Sequence, residues 1–457
     1  MASKELQDLF ELLSIPSIST LPEHKSDMRS TLNWLASYLA NIGFSKDSIQ
    51  ELYAENFTWD SHHPVLFAER IDNPANKTIL IYGHYDVQPV DPLDQWISPP
   101  FSPEVRDGYI YARGATDDKG QMFTHLAALA QLSQEWGNEW PVNIKIMLEG
   151  EEEMGGENIA HIIKDPKFQA KLSADVALIS DTGFITDDQP SLEYGLRGIA
   201  YMQIDVKLSD RDLHSGLYGG GVRNPANALA QILARLQDSE TGKILIPGFY
   251  DKVVEVSDVE HQNMAALPYS DSEFLKEAGN SKGLFGEVGY TTLERTSARP
   301  TLDVNGIWGG FSGVGAKTII PAEAHAKVSM RLVADQEPAE IAKQFTDYVM
   351  QIAPSGVEVK VQFIHDGDGI LIDTTSHYIR KAAEALSTIW GKQALFGRSG
   401  GSIPIAALIK KKLGIDPVLM GYGQPGDALH SPNERFSVDQ FYKGIECNKI
   451  FYQSCAN

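Results

Sequence analysis

Four short apolar runs limit the fold most. They are Thr78-Ile-Leu-Ile-Tyr82, Val142-Asn-Ile-Lys-Ile-Met-Leu148, Asp175-Val-Ala-Leu-Ile-Ser180 and Pro417-Val-Leu-Met-Gly421. Their length and their β-branched content predict buried strands. Between the first two, Met122, His125, Leu126, Leu129 and Leu132 recur at helical spacing. Strands alternating with helices predict an α/β sheet. In such sheets ligands gather beyond the carboxyl ends of the strands. Each of the four runs is followed, within a few to a dozen residues, by a His, Asp or Glu.

The flanking sequence extends this plan. Leu6, Leu9, Phe10 and Leu13 predict an opening helix that stops at Pro16, and Met28, Leu32, Leu35 and Leu39 predict a second, closed by Gly43. The middle reads differently. Ala200–Leu208, Ala324–Leu332 and Val357–Phe363 alternate as half-exposed strands do. Helices are predicted from Pro225, capped by Asn224, and from Pro338 to Ile352. We therefore expect a domain made of residues 1–198 and 367–457, with an α+β block, 199–366, inserted into it. The polar stretch Tyr250–Arg299 has no pattern that places it.

Charge and cysteine usage exclude several function classes. The 39 Lys+Arg stand against 61 Asp+Glu, a formal charge of −22 in 457 residues. Such a chain repels phosphate backbones, so no nucleic-acid partner is expected. No apolar run reaches the ~18–20 residues that cross a bilayer, so no membrane partner is expected. The start, Met1-Ala-Ser-Lys-Glu-Leu, does not read as a secretory signal. The two cysteines, Cys447 and Cys455, build neither a disulfide scaffold nor a thiolate zinc site. A cytoplasmic location is the expectation.

Five motifs carry chemistry: Gly83-His84-Tyr-Asp86; Asp117-Asp118-Lys-Gly120; Glu149-Gly-Glu151-Glu152-Glu153-Met-Gly-Gly156; Asp181-Thr-Gly183; and Gly421–Glu434 with His430 inside it. Taken singly, each can be a polar loop. Four carboxylates in five residues repel one another unless a cation or shared protons relieve them. Together, two His and several carboxylates without thiolate suit a two-metal site for Zn²⁺, Mn²⁺ or Co²⁺. A spare Glu beside it can take a proton from water.

The order of these motifs resembles the M20 family of dinuclear metallopeptidases. Tyr194-Gly-Leu-Arg-Gly198, Asp212-Leu-His-Ser-Gly216, Gly315-Ala-Lys-Thr318 and Ser399-Gly-Gly-Ser402 are similar to its carnosinase-like dipeptidase branch. The resemblance implies a zinc-exopeptidase-like α/β catalytic domain, with a mixed sheet flanked by helices, and an inserted α+β dimerisation and lid domain. It implies a homodimer that cleaves dipeptides or short peptides through a hydroxide bridging two divalent metals, Zn²⁺ first, Mn²⁺ or Co²⁺ next.

Roles follow by position. His84, Asp117, Glu153, Asp181 and His430 are the implied metal ligands, with Asp117 the bridge. Asp86 would orient His84, and Glu152 would be the general base. Glu149 and Glu151 remain alternatives within the acidic run. His214 would stabilise the oxyanion, reaching the site from the partner subunit. Arg331 would hold a substrate carboxylate, with Thr318 and Ser402 as polar contacts. A deacylase of N-acyl-amino acids or succinyl-diamino acids within the same family, and an inactive binding relative, are the competing readings.

Overall fold

The computed structural model describes residues 3–456 except Ser402. The chain divides into two compact units. The first comprises residues 1–194, 372–397 and 405–457; the second comprises 195–371 and 398–404.

The first unit is built on a mixed sheet whose strands run in the order Ile49–Leu52, Val65–Arg70, Asn143–Glu149, Thr78–His84, Val176–Ile179, Pro417–Leu419. The last four, which carry the apolar runs, are mutually parallel. Parallel strands buried on both faces read as near-continuous apolar runs, and any polar residue in them must find a partner. Accordingly every residue of Asn143–Glu149 and Val176–Ile179 is buried. Parallel alignment also brings the carboxyl ends of these strands to one edge of the sheet, so the motifs that follow them in sequence become neighbours.

Helices flank this sheet. Lys119–Trp136 packs against Thr78–His84 and against the closing helix Val438–Cys455, which in turn packs on His377–Trp390. The closing helix is held from within by polar contacts. Tyr422 Oη donates to Asn448 Oδ1 at 2.7 Å, Asn448 Nδ2 donates to Thr124 Oγ1 at 2.9 Å, and His125 Nδ1 lies 2.7 Å from Tyr452 Oη. The opening helices occupy Lys4–Leu13 and Lys25–Asn41, each with its apolar stripe buried. Gly43, at φ 110°, breaks the second.

The second unit holds a four-stranded antiparallel sheet in the order Thr301–Gly309, Glu323–Leu332, Gly198–Lys207, Glu358–Gly367. Along Gly198–Lys207 buried and half-exposed residues alternate strictly, as a sheet covered on one face requires. Pro225–Leu233 and Pro338–Ile352 supply that cover. Leu229, Ile232, Ile341, Phe345 and Val349 meet Met202, Ile204, Val328 and Met330 in one core. Asn224 caps the first of these helices, its side chain accepting from the Ala226 and Asn227 amides.

The stretch that had no sequence pattern forms three short helices, Asp258–Ala265, Asp271–Glu277 and Thr292–Ser297. Their apolar centre is small: Val256, Met264 and Ala298, with Tyr290 and Leu293 against them. Polar contacts add to it. Arg299 grips Glu287 through two 2.8 Å bonds, and a capping box joins Thr291 to Glu294. Cys447 and Cys455 are both buried and free. No helix among the described residues is long and apolar enough to cross a membrane.

Candidate metal centre

At the carboxyl edge of the first unit's sheet, His84 is the last residue of its strand and fully buried. Its Nδ1 faces the Asp86 carbonyl at 3.1 Å and Asp86 Oδ1 at 3.3 Å. Asp86 is fixed in turn, since its Oδ2 accepts from Ser19 Oγ at 2.7 Å and from the Glu153 amide at 3.1 Å. With Nδ1–H donated toward Asp86, the lone pair of Nε2 points at Asp117 Oδ1, 3.0 Å away. Two acceptors at that distance need a proton or a cation between them.

The other oxygen of the same carboxylate has the same relation to a second ring. Asp117 Oδ2 lies 2.8 Å from His430 Nε2, and that nitrogen is 3.4 Å from Glu153 Oε2. Asp181, two residues past the Val176–Ile179 strand, brings its Oδ2 to 4.0 Å from His84 Nε2. Among the described residues two candidate ion-holding groups result: His84, Asp117 and Asp181, and Asp117, Glu153 and His430. Within each, one ligand atom per residue lies within 4.8 Å of the others. Asp117 belongs to both.

The acidic run is sorted by a tight turn. Glu149 ends its strand, buried, and accepts from Tyr82 Oη at 2.5 Å. Gly150 has no room for a side chain, because a Cβ there would stand 2.3 Å from the Tyr85 ring. Glu151 accepts from the His63 amide at 2.7 Å and the Asn158 amide at 3.0 Å. Both alternatives within the run are therefore engaged in holding the fold. The turn Glu152–Met154 follows, and Gly155 and Gly156 leave it with φ of 107° and 61°. Glu152 and Glu153 are left facing the ligand cluster: Glu153 is next to His430, and the charges of His84 and Asp117 act on both carboxyls.

The electrostatics show a cluster short of positive charge. Burial, reinforced by Asp118, pushes the Asp181 carboxyl well above the usual range. Burial and then the charge of Asp117 raise Glu153 to about 8. Burial also raises Glu152, opposed by His84. For Asp117 burial is outweighed by its bonds to His430 and His84, which hold it below the carboxylate range. Oδ1 of Asp86, Oδ1 of Asp118 and Oε1 of Glu153 are buried without a hydrogen-bond partner. Crowded carboxylates, imidazole nitrogens facing them and unsatisfied oxygens fit divalent cations with N/O preference.

Several supporting residues carried no assignment from sequence. Asp118 accepts from the His84 amide at 3.2 Å, and its peptide with Asp117 is cis. Gln88 Nε2 donates to Glu153 Oε2 at 2.7 Å. Glu434, buried, pairs with Arg113 at 2.7 Å. Asp118 and Glu434 lie inside the motifs; Ser19 and Gln88 are ordinary polar residues with no local signal.

The remaining candidates belong to the second unit. His214 and Thr318 are brought together: Leu213–His214 pairs with Ile319–Ile320, and the Ser215 amide donates to the Thr318 carbonyl at 3.1 Å. Both side chains are exposed, and His214 Nδ1 accepts from the Gly216 amide at 2.9 Å. Arg331 is half-buried on Glu323–Leu332, opposite Thr301 and Ile199. Burial lowers its pKa, with Asp303 opposing. Ser402 lies outside the described residues.

Comparison with known proteins identifies the family. Residues 80–453 match the model of peptidase family M20/M25/M40. The Cys-Gly metallodipeptidase DUG1 of Candida albicans is 34% identical over 456 residues, covering 97% of this chain and 93% of that protein. The Beta-Ala-His dipeptidase of Homo sapiens is 31% identical over 398 residues, covering 86% and 78%. Among solved structures, an M20 family metallo-carboxypeptidase from Sulfolobus solfataricus is 32% identical with a TM-score of 0.86, covering 100% of both chains. The chain is thus a metallopeptidase and belongs to peptidase family M20/M25/M40.

Proposed function

We propose that this metallopeptidase hydrolyses dipeptides and short peptides with two divalent cations, Zn²⁺ foremost, with Mn²⁺ or Co²⁺ as substitutes. The observation that carries the reading is Asp117, whose two oxygens face the Nε2 atoms of His84 and His430 at 3.0 and 2.8 Å. His84 and Asp181 would hold one cation, Glu153 and His430 the other, with Asp117 common to both. Bound cations supply Lewis acidity to the scissile carbonyl and lower the pKa of water. The names of the relatives, Cys-Gly metallodipeptidase and Beta-Ala-His dipeptidase, support a dipeptide substrate.

The chain's own groups do the rest. Glu152 takes the proton of the attacking water and delivers it to the leaving amine. Burial raises its pKa, which favours the proton-bound form that such a shuttle passes through. Asp86 keeps His84 in the tautomer whose Nε2 is free to coordinate. His214 donates to the developing oxyanion. Arg331 pairs with the substrate's terminal carboxylate, where a planar fork suits a two-oxygen group. Thr318 and Ser402 add polar contacts. The domain division 1–198 with 367–457 against 199–366, which rests on the strand patterning, the cytoplasmic location, which rests on cysteine usage, and the homodimer, which rests on the family resemblance, belong to the same proposal.

The test is hydrolysis by the metal-loaded protein of a dipeptide panel beside N-acetyl and N-succinyl amino acids, with metal counted per chain. Dipeptide cleavage and two cations per chain are expected. Faster cleavage of the acylated amino acids would make it a deacylase. Protein that holds no divalent metal and gains no activity from Zn²⁺ or Mn²⁺ would be a binding relative.

A further inference from the structure

His430 presents a difficulty that its motif does not explain. Its side chain is 56% exposed, and it sits in a loop where Ala428, His430 and Asn433 all take the left-handed conformation, at φ 56°, 57° and 64°. Non-glycine residues adopt that region at a cost and keep it only when the surroundings impose it. An exposed ring on such a loop would not by itself stay at 2.8 Å from Asp117.

The surroundings that impose it are two buried carboxylates, one on each side of the histidine. Glu434, with no exposed surface, receives four donors from the segment that ends at Asp117. Its Oε2 accepts from Arg113 Nη1 at 2.7 Å and the Gly114 amide at 3.0 Å; its Oε1 accepts from the Thr116 amide at 3.0 Å and the Asp117 amide at 3.1 Å. Asp427, also without exposed surface, closes the loop: its carbonyl accepts from the Arg435 amide at 3.0 Å, and its Oδ2 accepts from the Gln424 amide at 2.7 Å and Thr116 Oγ1 at 3.2 Å. Thr116 Oγ1 also reaches the Arg435 carbonyl at 2.6 Å.

We propose that Glu434, with Asp427 as a second anchor, is a positioning residue that locks the His430 loop to the Asp117 segment and so sets the affinity of the metal centre. A carboxylate is suited to this task, because all four groups on it are donors. An amide in its place would turn one NH₂ toward N–H groups. The ligand pair then moves as one piece, and His430 reaches its place without an enclosing wall. This inference rests on Asp117 and His430 being metal ligands.

The experiment titrates metal-free protein with Zn²⁺ and with Co²⁺, following affinity by calorimetry and ligand geometry by the Co²⁺ visible absorption. Partners that orient ligands change metal affinity by about 10–100-fold, so Glu434→Gln should bind at least one cation 10–100-fold more weakly, with a changed Co²⁺ band at saturation. Thr116→Val, which removes only the hydroxyl ties, should weaken binding several-fold. Wild-type chain that takes up no cation overturns this proposal together with the metal reading. Tight uptake by the wild type, with the same affinity and spectrum in Glu434→Gln, overturns this proposal alone. If Glu434→Gln does not fold, Glu434→Asp, which keeps the charge but draws the carboxylate back from its four donors, takes its place, and wild-type affinity and spectrum there overturn the proposal.

Discussion

The carboxyl edge of the first unit's sheet and the His214–Thr318 ribbon of the second unit both hold residues assigned to one reaction, yet they differ in how complete they are. At the sheet edge, the imidazoles of His84 and His430 face the two oxygens of Asp117 amid crowded carboxylates, and Glu153 keeps an oxygen without a hydrogen-bond partner. That region is unfinished without cations. On the ribbon, His214 has a partner in its own turn and stands exposed. Chemistry that the chain leaves unsatisfied is visible in a single copy of the fold. Chemistry that meets only the substrate leaves no such trace.

The sharpest way to break this contrast is to remove metal. Chelation should abolish turnover almost completely, and adding back Zn²⁺, Mn²⁺ or Co²⁺ should restore it in step with occupancy, measured by metal analysis. Persistent activity in demonstrably metal-free protein would end the contrast. Next in size, Glu152→Gln should keep both cations while kcat falls about 10²–10⁴-fold, the usual range for a lost acid–base group. Glu151→Gln, by comparison, should disturb stability rather than turnover, since Glu151 binds backbone amides. Equal rates for wild type and Glu152→Gln would show that the wrong glutamate was assigned.

A smaller effect tests the ribbon. His214→Ala should lower kcat about 10²–10³-fold, as loss of one oxyanion donor does, with metal content unchanged. A drop in metal content would place His214 among the ligands instead. The smallest effect concerns a histidine of the first unit outside the ligand set. Burial lowers His125 to about 3, against 6.5 in the unfolded chain. Its folded value is depressed, so the unfolded chain binds the extra proton first, and stability falls as pH drops below 6.5. At pH 5 that amounts to about 2 kcal/mol. His125→Gln should flatten the fall in Tm between pH 7 and 5; an unchanged slope would assign the acid sensitivity elsewhere.

Much of the proposed ligand set was legible because His84, Glu153 and Asp181 sit in short motifs at or just past buried parallel strands, whose pairing gathers those ends, while Asp117 and His430 come from longer loops whose motifs mark them. The four apolar runs, the helix stripe through Leu126 and Leu129 and the Asn224 cap are of this local kind. What sequence could not decide is equally physical. Glu149, Glu151, Glu152 and Glu153 look alike in one dimension, and only the turn forced by Gly150 against Tyr85 separates them. Ser19 and Gln88 act across 67 and 65 residues, with no pattern to mark them. The 250–299 stretch folds around few apolar side chains, so periodicity has little to register.

The sorting of the acidic run also bears on how the protein behaves in an electric field. Burial raises the carboxyls of Asp118, Glu149, Glu151 and Glu434 above their usual range, and each that keeps its proton takes one from the formal charge of −22. Each dication that settles at the sheet edge would offset two further charges. Electrophoretic mobility and isoelectric focusing would then report loading directly, with the fully loaded form migrating as the less anionic species.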